Sequence, residues 1–138
     1  GYNEAISFAL RDKRIANSDA IVILPGDIPL ITTEEIENFI NDAPKNGIRI
    51  APDRDREGTN ALLLAPPTLI KTQFGKLSYS RHLELAEKCC SNVEVIDSDG
   101  LAFDIDSPED LKDFCGTASS TKSYEFLKRN GIAASLLG

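Results

Sequence analysis

The chain has 138 residues and a formal net charge of -7, with 41% hydrophobic and 27% charged residues. One buried core is within reach of that size, while the acidic balance and the dispersed Lys and Arg residues exclude an electrostatic footprint for DNA or RNA. No apolar run approaches the roughly 20 residues of a membrane-spanning helix, and Gly1-Tyr2-Asn3-Glu4 is not a basic, apolar leader, so a cytoplasmic protein is expected.

Asn3 to Arg14 reads as a helix with Ala5, Ile6, Phe8, Ala9 and Leu10 on an apolar side. The chain contains no Met and opens on this mid-fold helix, so an upstream portion is expected to precede Gly1. Ala20 to Leu24 is an Ile- and Val-rich run bounded by Asn17-Ser18-Asp19 and Pro25-Gly26, which predicts a central strand buried on both faces. Thr32-x-x-Glu35 fits a capping box, opening a helix whose Ile36, Phe39 and Ile40 face inward before Pro44 stops it.

Ile48 to Ala51 and Ala61 to Ala65 follow as strands, joined by the polar segment Pro52 to Asn60, a candidate active-site loop. Ser78 or Ser80 opens a helix with Leu83, Leu85 and Ala86 on its apolar side. Val93 to Ile96 and Leu101 to Ile105 are expected strands. Ser107-Pro108-Glu109-Asp110 supplies a cap, a proline at the first helical position and early acids for a helix carrying Leu111, Phe114 and Cys115. A last helix spans Ser123 to Arg129 and ends at Asn130-Gly131. Without repeat, linker or low-complexity tract, residues 1–138 are expected to form one α/β domain, incomplete at its N-terminus. Cys89, Cys90 and Cys115 have neither disulfide-framework nor zinc spacing and read as reduced thiols.

The acidic signatures Leu24-Pro25-Gly26-Asp27-Ile28-Pro29-Leu30 and Phe103-Asp104-Ile105-Asp106 stand where apolar runs break into turns. Open α/β sheets place ligands at such strand ends, and Mg²⁺ is held by a few carboxylates plus substrate phosphates, so Asp27, Asp104 and Asp106 form a candidate divided Mg²⁺ site. Asp104 and Asp106, two apart on an extended segment, share a face with Ile105 turned to the core. The plainer alternatives are that Asp27 shapes a turn and that Asp106 belongs to the cap of the next helix.

Gly58-Thr59-Asn60 before a strand combines backbone access with a hydroxyl and an amide, suited to a phosphate or carboxylate, or is a simple polar turn. Gly75 lies three residues before Ser78, where free N–H groups and the helix dipole favour anions, or they are a loop glycine and a cap. His82, the only histidine, has no partner for a zinc site and reads as a surface or packing residue. Asp53, Arg54 and Arg56 could touch a nucleotide but rank below the glycines as solvated loop charges.

Asp27-Ile28-Pro29-Leu30, Gly58-Thr59-Asn60-Ala61-Leu62, Phe74-Gly75-x-x-Ser78-x-x-x-His82 and Asp104-Ile105-Asp106-Ser107-Pro108-Glu109-Asp110-Leu111 occur in this order. Together they resemble the 2-phospho-L-lactate (phosphoenolpyruvate) guanylyltransferase family of coenzyme F-420 biosynthesis. The resemblance implies a three-layer α/β nucleotide-diphospho-sugar transferase fold, GT-A-like and Rossmann-like, with its N-terminal portion missing. It implies Mg²⁺ on Asp27, Asp104 and Asp106, and Thr59, Gly75 and Ser78, with Gly58 and Asn60 beside them, holding the acceptor. Expected partners are GTP and a small phosphorylated acid (2-phospho-L-lactate, phosphoenolpyruvate or 3-phosphoglycerate), with no nucleic acid, no membrane, and a homodimer as the candidate oligomeric form. Two departures stand out. The basic N-terminal loop that receives the nucleotide in such enzymes has no counterpart, and Arg54-Asp55-Arg56-Glu57 replaces further glycines. Rival readings are another Mg²⁺-dependent nucleotidyltransferase and a non-catalytic α/β domain that binds a phosphorylated metabolite.

Overall fold

A computed structural model describes residues 1–89, 92–117 and 119–138. Two short helices, α1 (Tyr2–Ala9) and α2 (Lys13–Ala16), lead into β1 (Ile21–Ile23), α3 (Thr33–Ile40), β2 (Gly47–Pro52) and β3 (Thr59–Ala65). Then come α4 (Ser78–Cys89), β4 (Asn92–Val95), α5 (Asp99–Ala102), α6 (Pro108–Gly116), α7 (Lys122–Arg129) and α8 (Ile132–Leu137). The strands form one mixed sheet in the order β1-β3-β2-β4, antiparallel at β1–β3 and β3–β2 and parallel at β2–β4.

Because successive strand residues point to opposite faces, β2 and β3 feed two cores. Leu63, Ala61 and Ala51 pack against Phe39 of α3 and Leu101 of α5, while Leu62, Leu64, Ile48 and Ile50 pack with Ile70 and Ala86 of α4. Helices therefore cover both faces of the sheet, and α6, α7 and α8 pack on one another beside it. Phe114 of α6 lies between Phe103 and Tyr124, with ring centroids 6.3 and 6.2 Å away.

The capping boxes form as expected at Thr32/Glu35 and at Ser107/Asp110. Glu35 does more than cap its own helix: it also accepts the Gly100 N–H at 2.8 Å and the Ser98 hydroxyl, so α3 holds the start of α5. That contact explains one failed expectation. Leu101 to Ile105 is not a strand, because Ser98 caps the single turn of α5 and residues 103–106 then run extended, tied to the β1 end by Ile105 N–H donating to the Asp27 carbonyl at 3.0 Å.

Three other expectations change. β1 is half-buried and lies at one edge of the described sheet, not at its centre. The Asn3 to Arg14 helix breaks at 10–12, where Asp12 caps α2, and Phe8 is 71% exposed while Ile6 is buried. The chain also continues past Asn130-Gly131 into α8, with Gly131 (φ 72°) making the left-handed joint. Cys89 and Cys115 are free thiols, and Cys90 lies outside the described residues.

Candidate active site

Parallel β2 and β4 and antiparallel β3 bring the C-terminal ends of β1, β2 and β4 to the same edge as the start of β3. A cleft of about 440 Å³ opens there, lined by Asp27, Gly58, Thr59, Asn60, Gly75, Ser78, Asp104 and Asp106, so the candidate metal carboxylates and the candidate acceptor residues meet in one place, while His82, Arg54 and Arg56 are not in its lining. Tyr2, Asp53, Glu57 and Lys76 also line it. Thr59 and Asn60 are the first residues of β3, not part of the loop, because the β2–β3 pairing extends to Pro52 opposite Thr59.

The 53–58 turn is built around the Asp53 carboxylate, which accepts the Glu57 and Gly58 N–H groups at 2.9 and 2.6 Å. A side chain at 58 would put its Cβ 2.4 Å from Asp53 Oδ2, which is why glycine stands there. Arg54 lies over the Phe103 ring (4.4 Å to the centroid) and pairs with Asp110, while Arg56 pairs with Asp97 and the Tyr79 hydroxyl. Arg54 thus braces the loop against Phe103 and α6, and Arg56 braces it against Asp97 and α4.

Gly75 has φ 117°, a conformation that penalises any side chain by about 1–3 kcal/mol. Gly75→Ala is expected to lower the melting point by several degrees and to weaken acceptor binding by about tenfold, since this turn sets Lys76 and Ser78. Thermal melts beside a titration of acceptor would show both. α1 supports the same turn: the Asn3 amide donates to the Phe74 carbonyl at 2.9 Å and its oxygen accepts the Phe74 N–H at 2.8 Å.

Two of the amides at the α4 N-terminus, where an anion site is expected, are already engaged. Ser78 N–H donates to the Gly75 carbonyl and Tyr79 N–H to the Glu57 carbonyl. Beside them lies a pair of buried hydroxyls, Thr59 Oγ1 and Ser78 Oγ, 3.2 Å apart, with His82 beneath Thr59 at 3.0 Å. His82 is fully buried, so a surface role is wrong and a structural one right, and its partners lie far from it in sequence, where no local pattern reveals them.

Asp27, Asp53, Glu57, Asp104 and Asp106 face Lys76 as the lone basic group among the described lining residues. Burial, the largest cause, pushes the Asp104 carboxyl above its usual range, and the Asp106 and Asp53 carboxylates add smaller contributions in the same direction. The buried Asn60 Nδ2 completes no hydrogen bond among the described residues. Such a surface repels an anionic substrate unless cations compensate it, and its oxygen-only donors suit a hard divalent ion. Among the described residues, no three Asp, Glu, His or Cys side chains stand close enough to form a ready-made metal cage. Mg²⁺ seldom needs one, since a carboxylate or two and substrate phosphates complete its shell.

A family model described as "Guanylyl transferase CofC like" matches residues 1–136. The chain is 37% identical over 118 residues to the phosphoenolpyruvate guanylyltransferase of Sphaerobacter thermophilus, covering 86% of this chain and 57% of that protein. It is 34% identical over 134 residues to the 2-phospho-L-lactate guanylyltransferase of Methanoculleus marisnigri, covering 97% and 59%. The chain thus spans a little over half the length of these curated relatives. In structure it superimposes on a chain described as a nucleotide-diphospho-sugar transferase from Desulfovibrio desulfuricans G20, with a TM-score of 0.68 at 20% identity, over 98% of this chain and 60% of that one. The fold is therefore that of the nucleotide-diphospho-sugar transferases, as the resemblance implied.

Proposed function

Because the chain belongs to the family described as Guanylyl transferase CofC like, we propose that it carries the acceptor and metal half of a guanylyltransferase. That enzyme joins GMP from GTP to phosphoenolpyruvate or 2-phospho-L-lactate and releases pyrophosphate, in the cytoplasm, toward coenzyme F-420. The observation that carries the reading is the meeting of Asp27, Asp104 and Asp106 with Thr59, Asn60, Gly75 and Ser78 in one cleft.

In the proposed reaction a phosphate oxygen of the acceptor forms a bond to the α-phosphorus of GTP, and the bond from that phosphorus to the pyrophosphate oxygen breaks. A phosphate monoester is already anionic at neutral pH, so no side chain must remove a proton, and the residues act by holding and orienting. Thr59 and Ser78 bind the acceptor's anionic end, Gly75 shapes the turn that carries Ser78, and Asn60 Nδ2 supplies a further donor. Asp27, Asp104 and Asp106 would hold Mg²⁺, which when bound neutralises phosphate charge and draws the two anionic substrates together.

The test is pyrophosphate release by the full-length protein with GTP, Mg²⁺ and, separately, phosphoenolpyruvate, 2-phospho-L-lactate and 3-phosphoglycerate. Release with one of these acceptors, abolished by chelator, is the expected result. Release only with another nucleotide would move the assignment to a different nucleotidyltransferase. Acceptor binding that ignores chelator and yields no pyrophosphate would leave a non-catalytic binding domain.

A further inference from the structure

Hydrogen-bond bookkeeping at the floor of the cleft decides which way its hydroxyls point. The Gln73 backbone N–H can only donate, and it reaches His82 Nε2 at 2.9 Å, so Nε2 carries the lone pair and the ring proton sits on Nδ1. Nδ1–H then donates to Thr59 Oγ1 at 3.0 Å. Thr59 and Ser78 together own two hydroxyl protons, and the 3.2 Å bond between them consumes one. His82 offers no acceptor to the other. Ser78 is the donor of that bond, so the O–H that remains is that of Thr59, and the open side of this pair is the cleft that both residues line.

We infer that His82 is a positioning residue that, with Ser78, occupies both lone pairs of Thr59 Oγ1 and turns the Thr59 hydroxyl proton into the cleft, making it a donor to an anionic oxygen of the acceptor. The inference rests on the proposed function for the identity of the acceptor, not for the direction of the donor. Burial lowers the His82 pKa to about 4, so the ring stays neutral and its tautomer is held near neutral pH. Phe74 meets the imidazole edge-on at 4.9 Å and Tyr2 meets Phe74 at 4.8 Å, so α1 and the Gly75 turn clamp the ring. The Thr59 hydroxyl, both of whose lone pairs are engaged by His82 and Ser78, favours a phosphate or carboxylate oxygen, which only accepts.

Two near-isosteres separate this role from simple packing. His82→Asn places an amide nitrogen near the Nδ1 position and can still donate to Thr59, whereas His82→Gln reaches the Nε2 position and can accept from Gln73 but leaves Thr59 unserved. In the full-length protein, calorimetric titration with phosphoenolpyruvate is expected to show His82→Gln weakened about 10- to 100-fold, as for loss of one charge-assisted hydrogen bond, and His82→Asn within about threefold of wild type. In a Thr59→Val background the His82→Gln penalty should vanish. Equal weakening of both variants, wild-type affinity in His82→Gln, or an undiminished penalty beside Thr59→Val overturns the role.

Nitrogen-15 spectra of the wild-type imidazole give a check that no variant's folding can spoil: the Nδ1–H tautomer is expected, and the Nε2–H tautomer contradicts the inference. Wild-type protein that binds phosphoenolpyruvate without transferring GMP would sink the transferase reading and leave this one standing. Folded wild type that binds no phosphoenolpyruvate would sink both.

Discussion

Asp104→Asn in the full-length protein is expected to lower guanylyl transfer at least about a hundredfold while leaving the fold intact and somewhat more stable. Asp104 sits half-buried beside Asp106 and Asp53, and its carboxyl is held above the usual range, chiefly by burial. In the absence of substrate its negative charge therefore opposes folding. The amide keeps the shape and removes the charge, so the function loses an electrostatic contribution of the kind worth about 10²–10³ in rate, while the apo protein sheds a repulsion.

The pH dependence follows from linkage. A carboxyl whose pKa is raised on folding binds its proton more tightly in the folded state, so its unfavourable effect is absent below the unfolded value near 3.9 and grows as pH rises through the raised folded value. Wild type should lose stability across that window relative to Asp104→Asn. Urea titrations from pH 3.5 to 7, beside pyrophosphate assays, measure both arms. Near-normal transfer with unchanged Mg²⁺ requirement would remove Asp104 from the site.

Arg49→Met is expected to cost about 3–5 kcal/mol of stability with little change in turnover per folded molecule. Arg49 lies in β2 with its side chain buried, where its Nη1 donates to the carbonyls of Asn38, Phe39 and Asn41 at 3.2, 3.0 and 2.7 Å and its Nη2 to that of Asp42 at 3.1 Å. It closes the C-terminal end of α3, whose last carbonyls have no partner within the helix. Its Nε also donates to Glu94 Oε2 at 2.7 Å across the parallel β2–β4 pair. Methionine fills much of the volume but donates nothing, so carbonyls and a carboxylate lose their partner together. Glu94→Gln is a milder control, because Glu94 is 43% exposed and water can take over. Chemical unfolding ranks the two, and equal small losses would show that the network contributes little.

Arg49 also marks where reading residues in order reaches its limit. Ile48 to Ala51 reads as a strand, and that holds, but only the pairing of β2 with β4 and the placement of α3 show why a charged residue sits buried inside it. β1 fails for a related reason. Ile21, Val22 and Ile23 are apolar on both sides, which suits a central strand, yet neighbours are assigned by pairing, which hydropathy does not encode. Leu101 to Ile105 has strand-like composition, but the Ser98 cap and the distant Glu35 carboxylate claim its start for a helical turn.

The cleft was legible to a greater degree, because its elements advertise themselves locally. Pro25-Gly26-Asp27 ends a strand, Ser107-Pro108 starts a helix just after Asp104 and Asp106, and Gly75 announces a turn that its φ requires. What stayed hidden was how these parts serve one another. Asp53 is spent on the Glu57 and Gly58 amides, Arg54 and Arg56 are spent on Asp110 and Asp97, and the Ser78 and Tyr79 amides are taken by carbonyls. Those are long-range or backbone contacts with no fixed spacing, so the donor left for an anion, a hydroxyl oriented by His82, has no motif of its own.

One cleft is proposed to hold both the cation and the phosphorylated acid. The most direct measurement is a crystal structure of the full-length protein with phosphoenolpyruvate and Mn²⁺ in place of Mg²⁺, collected at a wavelength where manganese scatters anomalously. An anomalous peak ligated by Asp27, Asp104 or Asp106, with acceptor density against Thr59 and Ser78, is the predicted result. Manganese and acceptor bound elsewhere, with this cleft holding neither, would contradict it.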